Sequence, residues 1–205
     1  MDFELGSFIG TCTPCSQGAR WLEEASSPEE AWNHCPRVDW LFWAVEAVDH
    51  YRQKVNEDKE CLSPETLHRL VEFLFTVVEE ELPRMVLYQT QMKKVHPRLQ
   101  RFFQSLQKYW KEEGRQMNIK RLRTWCRKLC DNFCGTEHYR ILNTLGCLLD
   151  IVCKTNLWDL SQALRFCSYV YEDNNTGTPR TQAGKDFHDR WSARFRETFT
   201  RPSWP

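Results

Sequence analysis

Residues 96–114 read HPRLQRFFQSLQKYWKEEG, and this stretch contains both patterns that define the chain. Its apolar residues recur every three or four positions, which is the spacing of one face of an α-helix. Pro97 fits the first turn of such a helix, and Gly114 is a typical residue at its end. The stretch therefore predicts a helix from Pro97 to about Glu113. Its apolar stripe consists of Leu99, Phe102, Phe103, Leu106 and Trp110.

Similar apolar stripes occur on both sides of this stretch, and no segment alternates in the manner of a β-strand. Ser27-Pro28 and Ser63-Pro64 are helix-start signals, and Pro83 predicts the end or a kink of a helix. We therefore predict an all-α bundle of seven or eight helices with no significant sheet, and an irregular segment over residues 1–20. The predicted helices are a short one that ends by residue 35 and longer ones at about 39–56, 63–82, 97–113, 118–133, 137–154, 157–171 and 182–198.

Charge is sorted along the chain, although the formal net charge is zero. Residues 1–83 carry 17 acidic and 6 basic side chains, whereas residues 84–128 carry 2 acidic and 13 basic ones. Residues 129–205 carry 9 of each. Such sorting indicates an electrostatic partner, either in another part of the same molecule or in a different one.

The distribution of charge, together with proline and polar residues, also predicts the domain organisation. We expect a single helical domain over residues 1–205, with Pro83 as the boundary if the domain divides into two lobes. The lobes would be an acidic one over 1–83 and a basic-to-neutral one over 84–171. Residues 172–181 read EDNNTGTPRT and predict a linker, which leaves 182–205 as a C-terminal aromatic helix.

The chain begins with the acidic segment Met1–Leu5, whereas a secretory signal begins with basic residues. No apolar run reaches the ~18 residues that a membrane span requires. These observations predict a cytoplasmic protein without a membrane partner. In that compartment we expect most of the ten cysteines to be reduced thiols packed in the core.

Basic residues are dense over residues 93–128, and most of them fall opposite the apolar stripes of two predicted helices. Affinity for nucleic acid grows with the number of phosphates that a protein neutralises, so this segment is a candidate nucleic-acid-binding site. The alternatives are a solvated face, internal pairing with the acidic segment, or a protein partner. The candidate residues are Lys94, Arg98, Arg101, Lys108, Lys111, Lys120, Arg121, Arg127 and Lys128.

A second alternative is a domain stabilised by zinc. Cys12 and Cys15 have the two-residue spacing of a zinc knuckle, and His34 and Cys35 follow at a distance in the usual range. A second pair with ligand spacing is absent, so a surface thiol pair is the competing interpretation. Cysteines at 126, 130 and 134 recur every four residues, which favours core packing over a metal cluster.

The last predicted helix places an aromatic residue at every fourth position, namely Phe187, Trp191, Phe195 and Phe199. Arg190 and Arg194 flank this ladder. A helix of this kind either packs back onto its own domain or inserts into a groove of a partner. Packing onto its own domain is favoured, because exposed aromatic residues are unfavourable in water. These six residues are nevertheless the candidates for partner binding.

Residues 29–48 combine Ala31-Trp32, Cys35 and Asp39-Trp40-Leu41-Phe42-Trp43. This segment resembles a stretch of small uncharacterised bacterial and phage proteins, and the resemblance implies no activity. It suggests a bacterial or phage assembly, with phage defence as one hypothesis. No catalytic motif is present. The predicted function is therefore a non-catalytic protein-interaction module, such as an adaptor, inhibitor or regulatory subunit, with no cofactor unless zinc binds.

Overall fold

The computed structural model describes residues 16–57, 62–90, 94–112, 119–133, 139–153, 160–171 and 182–202. Within these ranges the chain forms nine α-helices and no β-strand, which confirms the all-α prediction with a slightly higher number of helices. The helices are α1 (Ser16–Glu24), α2 (Pro28–Asn33), α3 (Val38–Glu57), α4 (Pro64–Thr90), α5 (Pro97–Lys111), α6 (Ile119–Phe133), α7 (Tyr139–Val152), α8 (Leu160–Ser168) and α9 (Gln182–Thr198).

Helix starts follow the predicted capping signals. The Ser27 hydroxyl accepts a hydrogen bond from the Glu30 backbone N–H at 3.1 Å, and Pro28 occupies the first turn of α2. The Glu30 carboxylate accepts in return from the Ser26 backbone N–H at 2.7 Å. At α4, the Ser63 hydroxyl accepts from the Thr66 N–H at 3.3 Å. Side chains at these two starts therefore satisfy backbone N–H groups that lack a partner within the helix.

Two predictions about helix boundaries were wrong. Helix α1 begins at Ser16, inside the segment that was expected to be irregular, and the Trp21 ring stacks on Trp40 with 5.5 Å between centroids. Helix α4 continues through Pro83 to Thr90 instead of ending there. A proline inside a helix costs roughly 3 kcal/mol. Burial of Val78, Leu82, Met85 and Val86 on both sides of Pro83 offsets that cost.

The chain divides into two compact units. Unit 1 comprises residues 1–70 and 186–205, and unit 2 comprises residues 71–185. The divisions fall inside α4 and α9. The predicted linker at 172–181 lies outside the described residues, and most of α9 belongs to the same unit as the N-terminal helices.

The aromatic ladder of α9 forms the core of unit 1. Phe187, Trp191 and Phe195 are fully buried, and Phe199 is 3% exposed. The Phe195 ring lies 6.0 Å from the ring of Trp32, 5.9 Å from that of Phe42 and 4.4 Å from that of Phe199. Helix α9 therefore packs onto α2 and α3 of its own chain.

Polar side chains of α9 bind the turn between α2 and α3. The Arg196 guanidinium donates to the carbonyl oxygens of Trp32 and Cys35, both at 3.0 Å. At the start of α3, the Val38 backbone N–H donates to the buried His188 Nδ1 at 3.4 Å. Hydrogen bonds from one helix therefore satisfy backbone groups on both sides of a turn that lies more than 140 residues earlier in the chain.

In unit 2, helices α5, α6 and α7 contact one another, and α7 packs along α8. The Phe102 ring lies 5.5 Å from the Trp125 ring, and the His96 ring lies 5.2 Å from the Phe133 ring. From His96 to Phe102 the contacted residue of α6 moves back from Phe133 to Trp125, so the two helices are antiparallel. None of the helices in the described ranges combines the length and apolar character that crossing a bilayer requires.

A fully buried carboxylate joins α4 to the end of α8 in unit 2. The Tyr171 hydroxyl donates to Glu81 Oε2 at 2.9 Å, and Arg84 forms an ion pair with Glu81 Oε1 at 2.8 Å. The side chain of Glu81 is 0% exposed, whereas that of Arg84 is 52% exposed. A buried carboxylate is stable only when hydrogen bonds and a cation satisfy it, so these two partners are structural requirements.

Replacing Arg196 with alanine should lower the free energy of unfolding by about 3 kcal/mol, because hydrogen bonds from a charged donor to two backbone carbonyls are lost. Arg196→Lys should recover only part of this loss, since an ammonium group lacks the planar fork. Urea unfolding followed by tryptophan fluorescence measures both changes. The control is Arg201→Ala at an exposed position. Equal stability of the two alanine variants would contradict the assignment.

The variant Tyr171→Phe should destabilise the protein by about 1.5–3 kcal/mol, because the buried Glu81 carboxylate loses a hydrogen-bond donor. Thermal and urea unfolding give this value. Tyr139→Phe is a matched control, since it removes the same hydroxyl from a side chain that is 60% exposed. If both variants unfold alike, the Tyr171 hydrogen bond does not stabilise unit 2.

Candidate interaction surface

The basic residues predicted from the sequence all lie on the exposed surface of unit 2. One precedes α5, four lie at exposed positions of α5, and the other four lie on α6. We call this set of nine side chains the basic face. Its members are Lys94, Arg98, Arg101, Lys108, Lys111, Lys120, Arg121, Arg127 and Lys128.

The antiparallel register brings cations of the two helices to similar heights. Because Phe102 contacts Trp125, Arg101 of α5 lies near the level of Arg127, and Lys108 lies near the level of Lys120. At 1.5 Å per residue, the cations of α5 extend along about 20 Å of the helix axis. The two helices thus present an array of positive charge rather than isolated cations.

Within α6, the contact residue Trp125 shows which side of the helix faces α5. At 100° per residue, Arg121 and Lys128 are the cations next to that side. On α5, Arg98 and Arg101 are the cations next to the Phe102 contact. These four residues therefore flank the line along which α5 and α6 meet.

Local contacts leave most of this positive charge directed to solvent. Arg101 Nε donates to the Pro97 carbonyl at 3.3 Å, and Lys108 pairs with the Glu112 carboxylate at 3.7 Å. The Lys108 side chain is 60% exposed, and ion pairs at such exposure are weak and screened by salt. A polyanion can therefore compete with these contacts.

Large exposed apolar side chains lie elsewhere in the described part of the molecule. They are Leu87, Tyr88 and Tyr139, and none of them belongs to α5 or α6. On these two helices the large aromatic rings are instead buried or half-buried, as for Phe102 and Trp125. The basic face consequently offers charge and hydrogen-bond donors without an aromatic anchor.

The residues predicted to bind a partner through α9 are buried or half-buried, unlike those of the basic face. Phe187, Trp191, Phe195 and Phe199 are buried in unit 1, as described above, and are not part of its exposed surface. The guanidinium of Arg194 lies over the Trp191 ring, 4.5 Å from its centroid, and Arg190 is half-buried. Direct insertion of this ladder into a partner would require α9 to leave its own unit.

The predicted zinc ligands are only partly described. Cys12 and Cys15 lie outside the described residues, His34 is exposed, and Cys35 is buried. Cys35 Sγ donates to the Arg37 carbonyl at 3.2 Å, and burial raises the pKa of this thiol to about 12. A metal ligand must be a thiolate, so Cys35 is poorly suited to this role. The described residues contain no group of three or more side chains arranged to hold a metal ion.

The cysteines of the helices are free thiols in packed or half-packed positions. Cys126 and Cys130 are half-buried on α6, and Cys134 lies outside the described residues. Burial, together with the neighbouring Cys130, raises the pKa of Cys126 to about 12. Cys167 is fully buried, and its pKa is raised by burial to about 12 as well. These thiols lack the low pKa that reactive cysteines have.

Sequence reasoning missed a second cationic site, which lies in unit 1. Arg52 of α3 and Arg69 of α4 line a cleft of about 150 Å³ next to the segment that follows α9. The part of the lining that follows α9 lies more than a hundred positions after the rest of the cleft. No local sequence pattern indicates that these residues are neighbours, and the cleft is visible only in the folded chain.

Comparisons with protein-family models, curated proteins and solved structures found no match to this chain. The resemblance of residues 29–48 to bacterial and phage proteins therefore stays a hypothesis from sequence.

The thiols of Cys35 and Cys167 should resist alkylation in the folded protein. At pH 8 a thiol with a pKa of about 12 is ionised roughly a thousandfold less than one with the ordinary value of 9.0. Mass spectrometry after iodoacetamide treatment, with and without urea, measures the ratio of rates. Native and denatured rates within tenfold of each other would contradict the burial of these thiols.

The same raised pKa values make stability depend on pH. Below pH 9 both thiols are protonated in the folded and unfolded states, so their ionisation does not lower the free energy of unfolding there. Between pH 9 and about 12 the unfolded thiols ionise while the folded ones stay neutral, so stability should fall as pH rises. The double variant Cys35→Ala and Cys167→Ala should show a smaller decline in this range.

Proposed function

We propose that the protein is a non-catalytic binding protein and that its basic face binds the phosphate backbone of a nucleic acid. The observation that carries this proposal is the placement of nine exposed cations on and beside two antiparallel helices. Each phosphate that such a surface neutralises releases counterions, and this release is the main source of sequence-independent affinity.

The composition of the basic face favours nucleic acid over protein. Centres of protein–protein interfaces are enriched in aromatic residues and depleted in lysine. Interfaces with DNA are more polar and much more positively charged. Four residues of the basic face are arginine and five are lysine. This chemistry matches a backbone of phosphates.

The form of the nucleic acid follows from the position of the aromatic rings. Proteins that bind single strands usually stack bases on exposed aromatic side chains. Phe102 of α5 and Trp125 of α6 contact each other, and Phe102 is fully buried. The basic face therefore suits a duplex, whose phosphates are accessible while its bases remain stacked. We expect little sequence preference, because phosphate contacts carry no direct base readout.

A second candidate function is the protein-interaction module expected from the sequence, acting in the cytoplasm. The observation in its favour is the pair of adjacent exposed residues Leu87 and Tyr88 on α4, which are 52% and 45% exposed. Aromatic side chains are frequent anchors of protein interfaces. An adaptor or inhibitor in a bacterial or phage assembly would use this apolar pair, with the basic face steering an acidic partner.

Reversing three charges near the line between α5 and α6 should abolish duplex binding at moderate salt. The variant Arg98→Glu, Arg101→Glu, Lys128→Glu is expected to bind a 20-base-pair duplex about 100-fold more weakly. The slope of log affinity against log salt should fall in magnitude by about 3. Fluorescence anisotropy between 50 and 200 mM salt measures both quantities.

The matched control reverses three exposed cations outside the basic face, with the variant Arg20→Glu, Lys185→Glu, Arg201→Glu. It changes the net charge equally and should retain most of the affinity. Equal loss in both triple variants would show that only net charge matters. Absence of duplex binding by the wild-type chain at 50 mM salt would contradict the proposal. Capture of a protein partner that depends on Leu87 and Tyr88 would then favour the second candidate.

A further inference from the structure

The cleft in unit 1 is built from residues of α3, the first turns of α4 and the segment after α9. Helix α3 contributes Arg52 and Asp49, the first turns of α4 contribute Thr66 and Arg69, and the segment after α9 closes one wall. The remaining lining residues are Val45, Val48, Phe199, Thr200 and Pro202. All of these residues belong to unit 1, so the site is distinct from the basic face of unit 2.

The guanidinium of Arg69 is held in place on the wall of this cleft. One of its terminal nitrogens donates to the Thr198 carbonyl at 2.7 Å. Its central carbon lies 4.8 Å from the centroid of the Phe199 ring. A guanidinium has five N–H donors, and the bond to Thr198 uses one of them. An arginine that is already ordered loses little side-chain entropy when a ligand binds.

Two basic side chains and one acidic side chain line the cleft, namely Arg52, Arg69 and Asp49. The carboxylate of Asp49 already accepts from the Ser63 backbone N–H at 2.7 Å and from the Ser63 hydroxyl at 3.1 Å. Asp49 therefore serves the start of α4, and Arg52 and Arg69 are the two side chains of the cleft lining that can bind an anion.

The size and donors of the cleft indicate the class of anion. A volume of about 10–15 Å³ of this kind admits one water molecule. The cleft, at about 150 Å³, admits a phosphate group with part of the molecule that carries it. Guanidinium groups bind phosphate through paired hydrogen bonds, and hydroxyls such as those of Thr66 and Thr200 can donate to further oxygens. Val45, Val48 and Pro202 offer apolar contacts for an organic remainder.

We propose that this cleft is a binding site for a phosphate group, with Arg52 and Arg69 as its principal ligands. The phosphate is either free or the terminal group of a small phosphomonoester. This site is independent of the proposed nucleic-acid function, because none of its residues lies on the basic face. A bound phosphate would join α3, α4 and the segment after α9, and should therefore stabilise unit 1.

Isothermal titration of the full chain with inorganic phosphate and with glycerol 3-phosphate tests the proposal. Both should bind with one-to-one stoichiometry, and tighter binding of glycerol 3-phosphate would identify a phosphomonoester as the preferred source. Acetate at the same concentration should bind at least tenfold more weakly, because it offers two acceptor oxygens rather than a tetrahedral set. The melting temperature should rise with phosphate concentration.

The variants Arg52→Gln and Arg69→Gln should each weaken phosphate binding at least tenfold. Arg69→Gln also removes the contact with Thr198 and can lower stability, so Arg52→Gln is the decisive variant if the other does not fold. Arg20→Gln, at an exposed position on α1, should leave the affinity unchanged. The triple variant of the basic face used above should also bind phosphate normally, which separates the two proposals.

Two results would overturn the proposal. The first is the absence of binding of both phosphate compounds at 20 mM to the wild-type chain. The second is equal affinity of Arg52→Gln, Arg20→Gln and wild type, which would place the anion elsewhere. Acetate binding as tight as phosphate would replace phosphate with a carboxylate as the ligand class.

Discussion

The hydrogen bonds from Arg196 to the carbonyls of Trp32 and Cys35 are the constraint on which unit 1 depends. A turn between two helices leaves carbonyl and N–H groups without helical partners, and their burial without hydrogen bonds is unfavourable. Here α9 supplies the missing partners through Arg196 at one side and His188 at the other. Because the same helix also buries three aromatic side chains, polar pairing and apolar packing both hold it against α2 and α3.

Unit 2 also combines polar pairing with burial. Its buried carboxylate, Glu81, receives a hydrogen bond from Tyr171 and an ion pair from the half-exposed Arg84. The net gain from such a buried charge is small, because removing it from water is costly. The arrangement ties Tyr171, which follows α8, to Glu81 of α4. The cations of the basic face are exposed.

Local patterns in the sequence predicted most of the helices and most of the buried positions of α5. Leu99, Phe102, Phe103 and Leu106 were predicted on one stripe, and all four are buried. The fifth member, Trp110, is only half-buried, and Tyr109 is buried beside it. The nine basic residues of the basic face are exposed, as a helix with one apolar stripe directs its charges away from that stripe.

The failures have a common physical origin, which is that tertiary contacts override local signals. Pro83 lies between buried residues, and the packing on both sides keeps α4 helical. Helix α1 follows a segment rich in turn-forming residues, and its Trp21 stacks on Trp40 of α3. The cleft of Arg52 and Arg69 could not be predicted, because Phe199 and Pro202 reach it from the other end of the chain.

The discontinuity of unit 1 has a consequence for synthesis on the ribosome. Residues 71–185 emerge before the final helix, so unit 2 can fold while translation continues. Unit 1 cannot complete its core at that stage, because Trp32 and Phe42 pack against Phe195, which follows about 150 residues later in the chain. At 5–20 residues per second this delay lasts on the order of ten seconds. During that interval the nascent N-terminal segment exposes indole and phenyl rings, and molecular chaperones have their longest opportunity to engage it.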